Sequence, residues 1–112
     1  MLDWLACAVG GSSEPAARAA AGAGDGLLDR VAAVATAGHV LDFDDTYLPG
    51  IAHLSAPTAP AALVLGAELG VSVADALVAY AAGFAAMATV TDRAARTPAA
   101  SATVLSFPTR PP

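Results

Sequence analysis

Alanine restricts what this chain can fold into more than any other residue: it fills 31 of the 112 positions, while Phe, Trp and Tyr together make up 5%. Alanine has the strongest intrinsic preference for helix and is poorly suited to the packed faces of a sheet. Runs such as AAVATA and AAGFAAMA therefore predict helices that approach one another closely, and no continuous strand pattern or internal repeat competes with them. The expected class is all-α, a helical bundle. Small side chains bury little area, and at about 25 cal/mol per Å² of apolar surface such a core stabilises less than a leucine-rich one. Marginal stability alone, or reliance on a larger assembly, is the expected consequence.

Punctuation residues divide the chain. Leu2 to Val9 reads as a helix stopped at Gly10-Gly11, with Trp4 as its one large anchor and no N-cap. Ser13 is placed to cap a second helix, carrying Pro15 in its first turn and running to about Ala21. After a loop at Gly22 to Gly26, Asp25 is placed to cap a third, from Leu27 to about Val40. Pro60 to Leu69, closed by Gly70, gives a fourth. Ser72 with Asp75 forms a capping-box pattern that opens the longest helix, Val73 to about Arg96. That helix is apolar on all sides over much of its length and contains Gly83, which predicts a place at the centre of the bundle. One domain over residues 1–96 is expected, followed by a disordered Pro-rich tail, 97–112.

Charge and cysteine content exclude several classes. A formal charge of −5, with five Arg and no Lys, provides no basic stripe for a nucleic-acid backbone. Cys7 has no second cysteine to pair with and lies in an apolar helical stretch, which suits a small hydrophobe in a reducing, cytoplasmic setting. Asp3 and the absence of a positive leader argue against a signal peptide. The longest uncharged run, Ala76 to Thr91, is sixteen residues, shorter than the ~18 that suggest a membrane span. No membrane association is expected.

Chemistry concentrates between Gly38 and Pro57, GHVLDFDDTYLPGIAHLSAP, which holds both histidines, three aspartates and no Lys or Arg. The stretch reads as a loop, with Pro49, Gly50 and Pro57 in it. His39 falls at the end of the third helix, where an imidazolium would meet the negative end of the helix dipole, a structural role. His53 lies in the polar loop; an imidazole with an unperturbed pKa of about 6.5 suits proton transfer, and a nearby Asp could fix its tautomer. Asp42, Asp44 and Asp45 could supply oxygens to a hard cation, but no Gly at the sixth position or Glu at the twelfth makes this an EF-hand, and no metal is expected. DFDDT also has the Asp-x-Asp-x-Thr form that opens haloacid-dehalogenase-like phosphatases. In that reading Asp42 is the nucleophile and Asp44 the general acid beside Mg²⁺. It requires an apolar strand before Asp42, where AAVATAGHVL is helical instead.

Three segments in order, DWLACAVGGSSEPA, GHVLDFDDTYLPGIAHLSAP and PAALVLGAELGVSVADALVAYAAGF, together resemble the MmgE/PrpD family, which includes 2-methylcitrate dehydratase and aconitate decarboxylase. The resemblance covers about Leu2 to Phe84 and implies an all-helical domain of a larger, cytoplasmic, two-domain lyase, a homodimer that works without metal or other cofactor on small polycarboxylates. It implies that Asp42, Thr46 and His53 are catalytic, with Asp45 and Ser55 beside them as substrate-binding residues. His53 would serve acid/base work or carboxylate binding, and Asp42 and Thr46 would position substrate.

The chain departs from the family in three ways. Its HPSAP is here His53-Leu54-Ser55-Ala56-Pro57; the helices expected before Met1 are missing; and the Lys and further His that the rest of the family enzyme contributes have no counterpart. From Arg93 onward the sequence departs from the family altogether, as a shifted reading frame would produce. The expectation is a truncated fragment, inactive alone; a non-catalytic helical dimerisation module is the competing class.

Overall fold

Every regular element follows from the alanine bias. The computed structural model describes residues 1–96, and the elements in them are α1 (Leu2–Gly11), α2 (Pro15–Ala21), α3 (Leu27–His39), α4 (Ser55–Leu69) and α5 (Val73–Ala95). The fold is all-α, as composition requires. The tail expected to be disordered, 97–112, lies outside the described residues.

α3 is the hub, touching α1, α2 and α4. Its crossing with α1 is close because glycines face it from both sides. A Cβ on Gly38 would lie 2.3 Å from the indole of Trp4, and one on Gly11 would lie 2.2 Å from the carbonyl oxygen of Ala37. Trp4, 1% exposed, fills the space that Gly38 leaves. The other buried apolar residues are Ala17, Leu54, Ala59 and Ala76, so the core is thin and built mostly from small side chains.

Helix starts depart from local expectation in three places. α2 is preceded by Glu14 in an extended conformation, not capped by Ser13, although Pro15 does occupy its first position. α3 starts from Gly26 rather than Asp25, and the Gly26 N–H donates to the Asp29 carboxylate at 3.2 Å. α4 begins at Ser55, five residues before Pro60, which becomes an interior and buried residue. Pro57 falls in the first turn, where a missing N–H costs nothing, while Pro60 leaves the Ala56 carbonyl without its helical donor. The α4 stop is as read: Gly70 adopts φ +65°, the left-handed conformation that glycine enters without penalty. The α5 start is as read too, with the Ser72 hydroxyl oxygen accepting from the Asp75 N–H at 3.1 Å.

α5 is not central. It packs on α4 and on the acidic loop, and leaves Val73, Leu77, Val78 and Val90 exposed. It is the one helix among the described residues long and apolar enough to cross a membrane, with a mean hydropathy of 1.6. The four shorter helices, of 7 to 15 residues, do not surround this helix of 23 residues.

Candidate functional site

The loop between α3 and α4 is irregular in backbone but fixed at several points. Asp42 and Ile51 both have positive φ, 58° and 46°. Asp tolerates this region, whereas a β-branched Ile does so at a cost. Tyr47 and Ala52 form an isolated antiparallel bridge, with the Tyr47 N–H donating to the Ala52 carbonyl at 2.8 Å, so residues 47–52 make a closed bracket. The bracket is tied to α5 by the Tyr47 hydroxyl, which donates to Asp92 at 3.1 Å. Removal from water, and then this bond to Asp92, push the Tyr47 phenol above its usual value near 10.

The bracket carries the chain back so that His53 faces the end of α3. The His39 and His53 rings meet edge to face, 4.7 Å between centroids. Between them lies Asp44, whose side chain has no exposure. Its Oδ1 is 2.9 Å from His39 Nδ1 and 3.3 Å from His53 Nδ1. On the outer side, His53 Nε2 is 3.4 Å from Oδ1 of the exposed Asp42. His53 thus has a carboxylate beside each ring nitrogen, one buried and one in water.

Of the expected catalytic residues, Asp42 and His53 are brought together and Thr46 is not. Thr46 is exposed, and among the described residues its side chain makes no hydrogen bond. Asp45 and Ser55 are engaged in holding the fold. The Asp45 carboxylate accepts from the N–H groups of Leu54 at 3.3 Å and Ser55 at 3.1 Å, capping α4 from the loop. Ser55 is buried and shares a 2.7 Å hydrogen bond with the Tyr80 hydroxyl, which joins α4 to α5. Sequence reasoning gave His39 a helix-end role and Asp44 a part only in the phosphatase reading and among the possible cation ligands, yet both are at the centre of the cluster. A helix-terminal His followed within five residues by an acid is the local signal that could have found the pair.

An open depression of about 430 Å³ borders the cluster on the α3–α4 side, lined by Ala35, Thr36, His39, Val40, Ala56 and Pro57. The Thr36 hydroxyl is spent on the Ala32 carbonyl at 2.8 Å, so His39 is its one polar group facing the cluster. Burial, with Asp3 and Asp44 nearby, raises the Cys7 thiol above the usual 9.0, which disfavours the thiolate a nucleophile needs.

The class defined is an all-helical domain whose longest interhelix loop carries a paired His/Asp cluster. No family model matches the chain, and neither a curated protein nor a solved structure matches it. The phosphatase reading loses its support on structural grounds. It needs Asp42 at the end of a strand in a parallel sheet, and among the described residues there is no strand; Asp42 follows a helix.

Proposed function

We propose that this chain belongs to a cytoplasmic lyase of MmgE/PrpD type, acting on a small polycarboxylate by moving a proton at the carbon beside a carboxylate, with loss of water or carbon dioxide. The observation that carries the reading is His53 flanked by Asp42 and Asp44 on the loop whose sequence resembles the family motif. Buried Asp44 lies 3.3 Å from the Nδ1 side of the ring, and Nε2, on the opposite side beside Asp42, is the nitrogen placed to take or give the proton. Asp42, exposed and in the left-handed region, flanks that nitrogen and is placed to orient a substrate hydroxyl.

A polycarboxylate beside three aspartates needs positive charge, and the chain has no Lys. In this proposal the cation comes from a further segment or from the second copy of a homodimer, and residues 1–96 alone are inactive. Translation of the DNA on both sides of the reading frame, followed by assay of the joined product, tests it. A His- and Lys-bearing continuation is expected, together with turnover of 2-methylcitrate or cis-aconitate that falls about 10²–10⁴-fold on His53→Ala. Flanks without such coding sequence, or turnover indifferent to His53, would sink the reading. The exposed apolar residues of α5 favour the second reading, a non-catalytic helical dimerisation module.

A further inference from the structure

Proton transfer by His53 makes no use of two features of the cluster, His39 and the second oxygen of Asp44. Asp44 Oδ2 is buried and has no hydrogen-bond partner, and neither has His53 Nδ1, although Asp44 Oδ1 is 3.3 Å away. The two atoms are close without the angle a hydrogen bond requires. A buried carboxylate oxygen without a donor is costly and rare in folded proteins.

We propose that His39, Asp42, Asp44 and His53 form a binding site for a divalent transition-metal ion of the zinc type. One donor atom from each of the four lies within 4.8 Å of the others. Donors at ~2.0–2.1 Å from a tetrahedral ion lie about 3.3–3.4 Å apart. On the inner side of the His53 ring the separations are 2.9 Å for His39 Nδ1–Asp44 Oδ1 and 3.3 Å for His53 Nδ1–Asp44 Oδ1, whereas Asp42 Oδ1 lies 3.4 Å from the other ring nitrogen, Nε2. The remaining gap is closed by the exposed Asp42 side chain, which has room to swing.

The donor set selects the metal class. Two imidazoles with two carboxylates suit zinc and its neighbours, whereas Mg²⁺ prefers an octahedron of oxygens and keeps its water. Two carboxylates also balance a dication in a stretch with no Lys or Arg. On binding, the His39 Nδ1–Asp44 contact exchanges its proton for the ion; the imidazole proton moves to Nε2 or to solvent. The frame is built before the ion arrives: Gly38 against Trp4 fixes the end of α3, and Asp45 on the α4 N-terminus fixes the residues after His53.

The inference does not rest on the lyase reading. An ion that takes a His53 lone pair from the cluster side would compete with proton transfer, so the two uses exclude one another. Calorimetric titration of the chelator-stripped full chain with Zn²⁺, and with Mg²⁺ separately, tests the site, alongside the visible absorption of the Co²⁺ form. One Zn²⁺ per chain, Co²⁺ bands of tetrahedral intensity and no comparable Mg²⁺ binding are expected. His39→Gln and Asp44→Asn should each weaken Zn²⁺ by at least about tenfold, and Cys7→Ser should leave it unchanged. His39 is half-exposed, so its replacement leaves folding intact even where Asp44→Asn does not, and circular dichroism checks both. Absence of saturable Zn²⁺ binding, equal affinity for Mg²⁺, indifference to His39→Gln, or loss with Cys7→Ser would each overturn the proposal, and none of them bears on lyase activity of the joined product.

Discussion

Ile51 is the most strained residue the loop contains. Its φ of 46° puts a β-branched side chain in the left-handed region, and its side chain recovers nothing by burial because it is 87% exposed. The strained conformation costs about 1–2 kcal/mol, and glycine there would remove that cost while adding about 0.5–1 kcal/mol of unfolded-state entropy. Ile51→Gly should therefore raise stability by roughly 0.5–1 kcal/mol, read as a higher urea midpoint; a lower midpoint would mean that the bracket needs the Ile side chain. Tyr47 sets the alkaline limit of the same bracket. Burial and Asp92 hold its proton more tightly in the folded state, so above pH ~10 the unfolded chain releases it first. That contribution is complete below pH ~10 and is lost as pH rises through the raised value. Unfolding midpoints that fall more steeply above pH ~10 in the wild type than in Tyr47→Phe would confirm the sign. At this scale the candidate site was half legible. Asp42 and His53 could be named because the loop that carries them resembles the MmgE/PrpD motif and an imidazole in a polar loop suits proton transfer. His39 and Asp44 were not singled out as a pair, because what joins them is the left-handed turn at Asp42, whose N–H donates to the His39 carbonyl at 2.9 Å, and the five-residue spacing is the one local sign of it.

Capping and close approach decide the elements. Asp45 holds α4 by accepting from two of its first N–H groups, where a carboxylate also meets the positive end of the helix dipole. Asp45→Ala should cost about 0.5–2 kcal/mol and shift the His53 resonances, since the residues after His53 lose their tether; unchanged imidazole shifts would show that the loop is held elsewhere. Gly38→Ala drives a methyl into the Trp4 indole, from which only a separation of α1 and α3 can relieve it. The expected loss is about 1–3 kcal/mol, with a change in Trp fluorescence; a neutral result would mean that the crossing is looser than the distances imply. These two residues also mark how far the helices could be read. Five helices in the right order follow from alanine runs broken by Gly, Pro and Asp. Local pattern makes Pro60 a first-turn residue, but α4 starts five residues earlier, because the carboxylate that satisfies its first N–H groups, Asp45, lies ten residues upstream of Ser55 rather than in the adjoining sequence.

The described residues leave more large apolar side chains exposed than buried. The buried apolar core is Trp4, Leu54 and three alanines, while Leu2, Val9, Phe43, Leu48, Val73 and Val78 among others are more than two-thirds exposed. α5 concentrates the excess: only 6% of its most apolar window is buried. Two environments could cover it. A bilayer core of ~30 Å needs about 20 apolar residues, whereas the uncharged stretch of α5 runs sixteen residues between Asp75 and Asp92. Asp92 is moreover bound to Tyr47 of the loop, which would have to enter the membrane with it. Protein is the better cover, and a second copy of the chain is the partner always present. Sedimentation equilibrium should show self-association in the micromolar range, and paired substitution Leu77→Glu with Val78→Glu should return a monomer with the same helix content. A wild type that is monomeric at those concentrations would remove the case for assembly through α5. Flotation with lipid vesicles would restore the membrane alternative, and would require Asp92 to part from Tyr47.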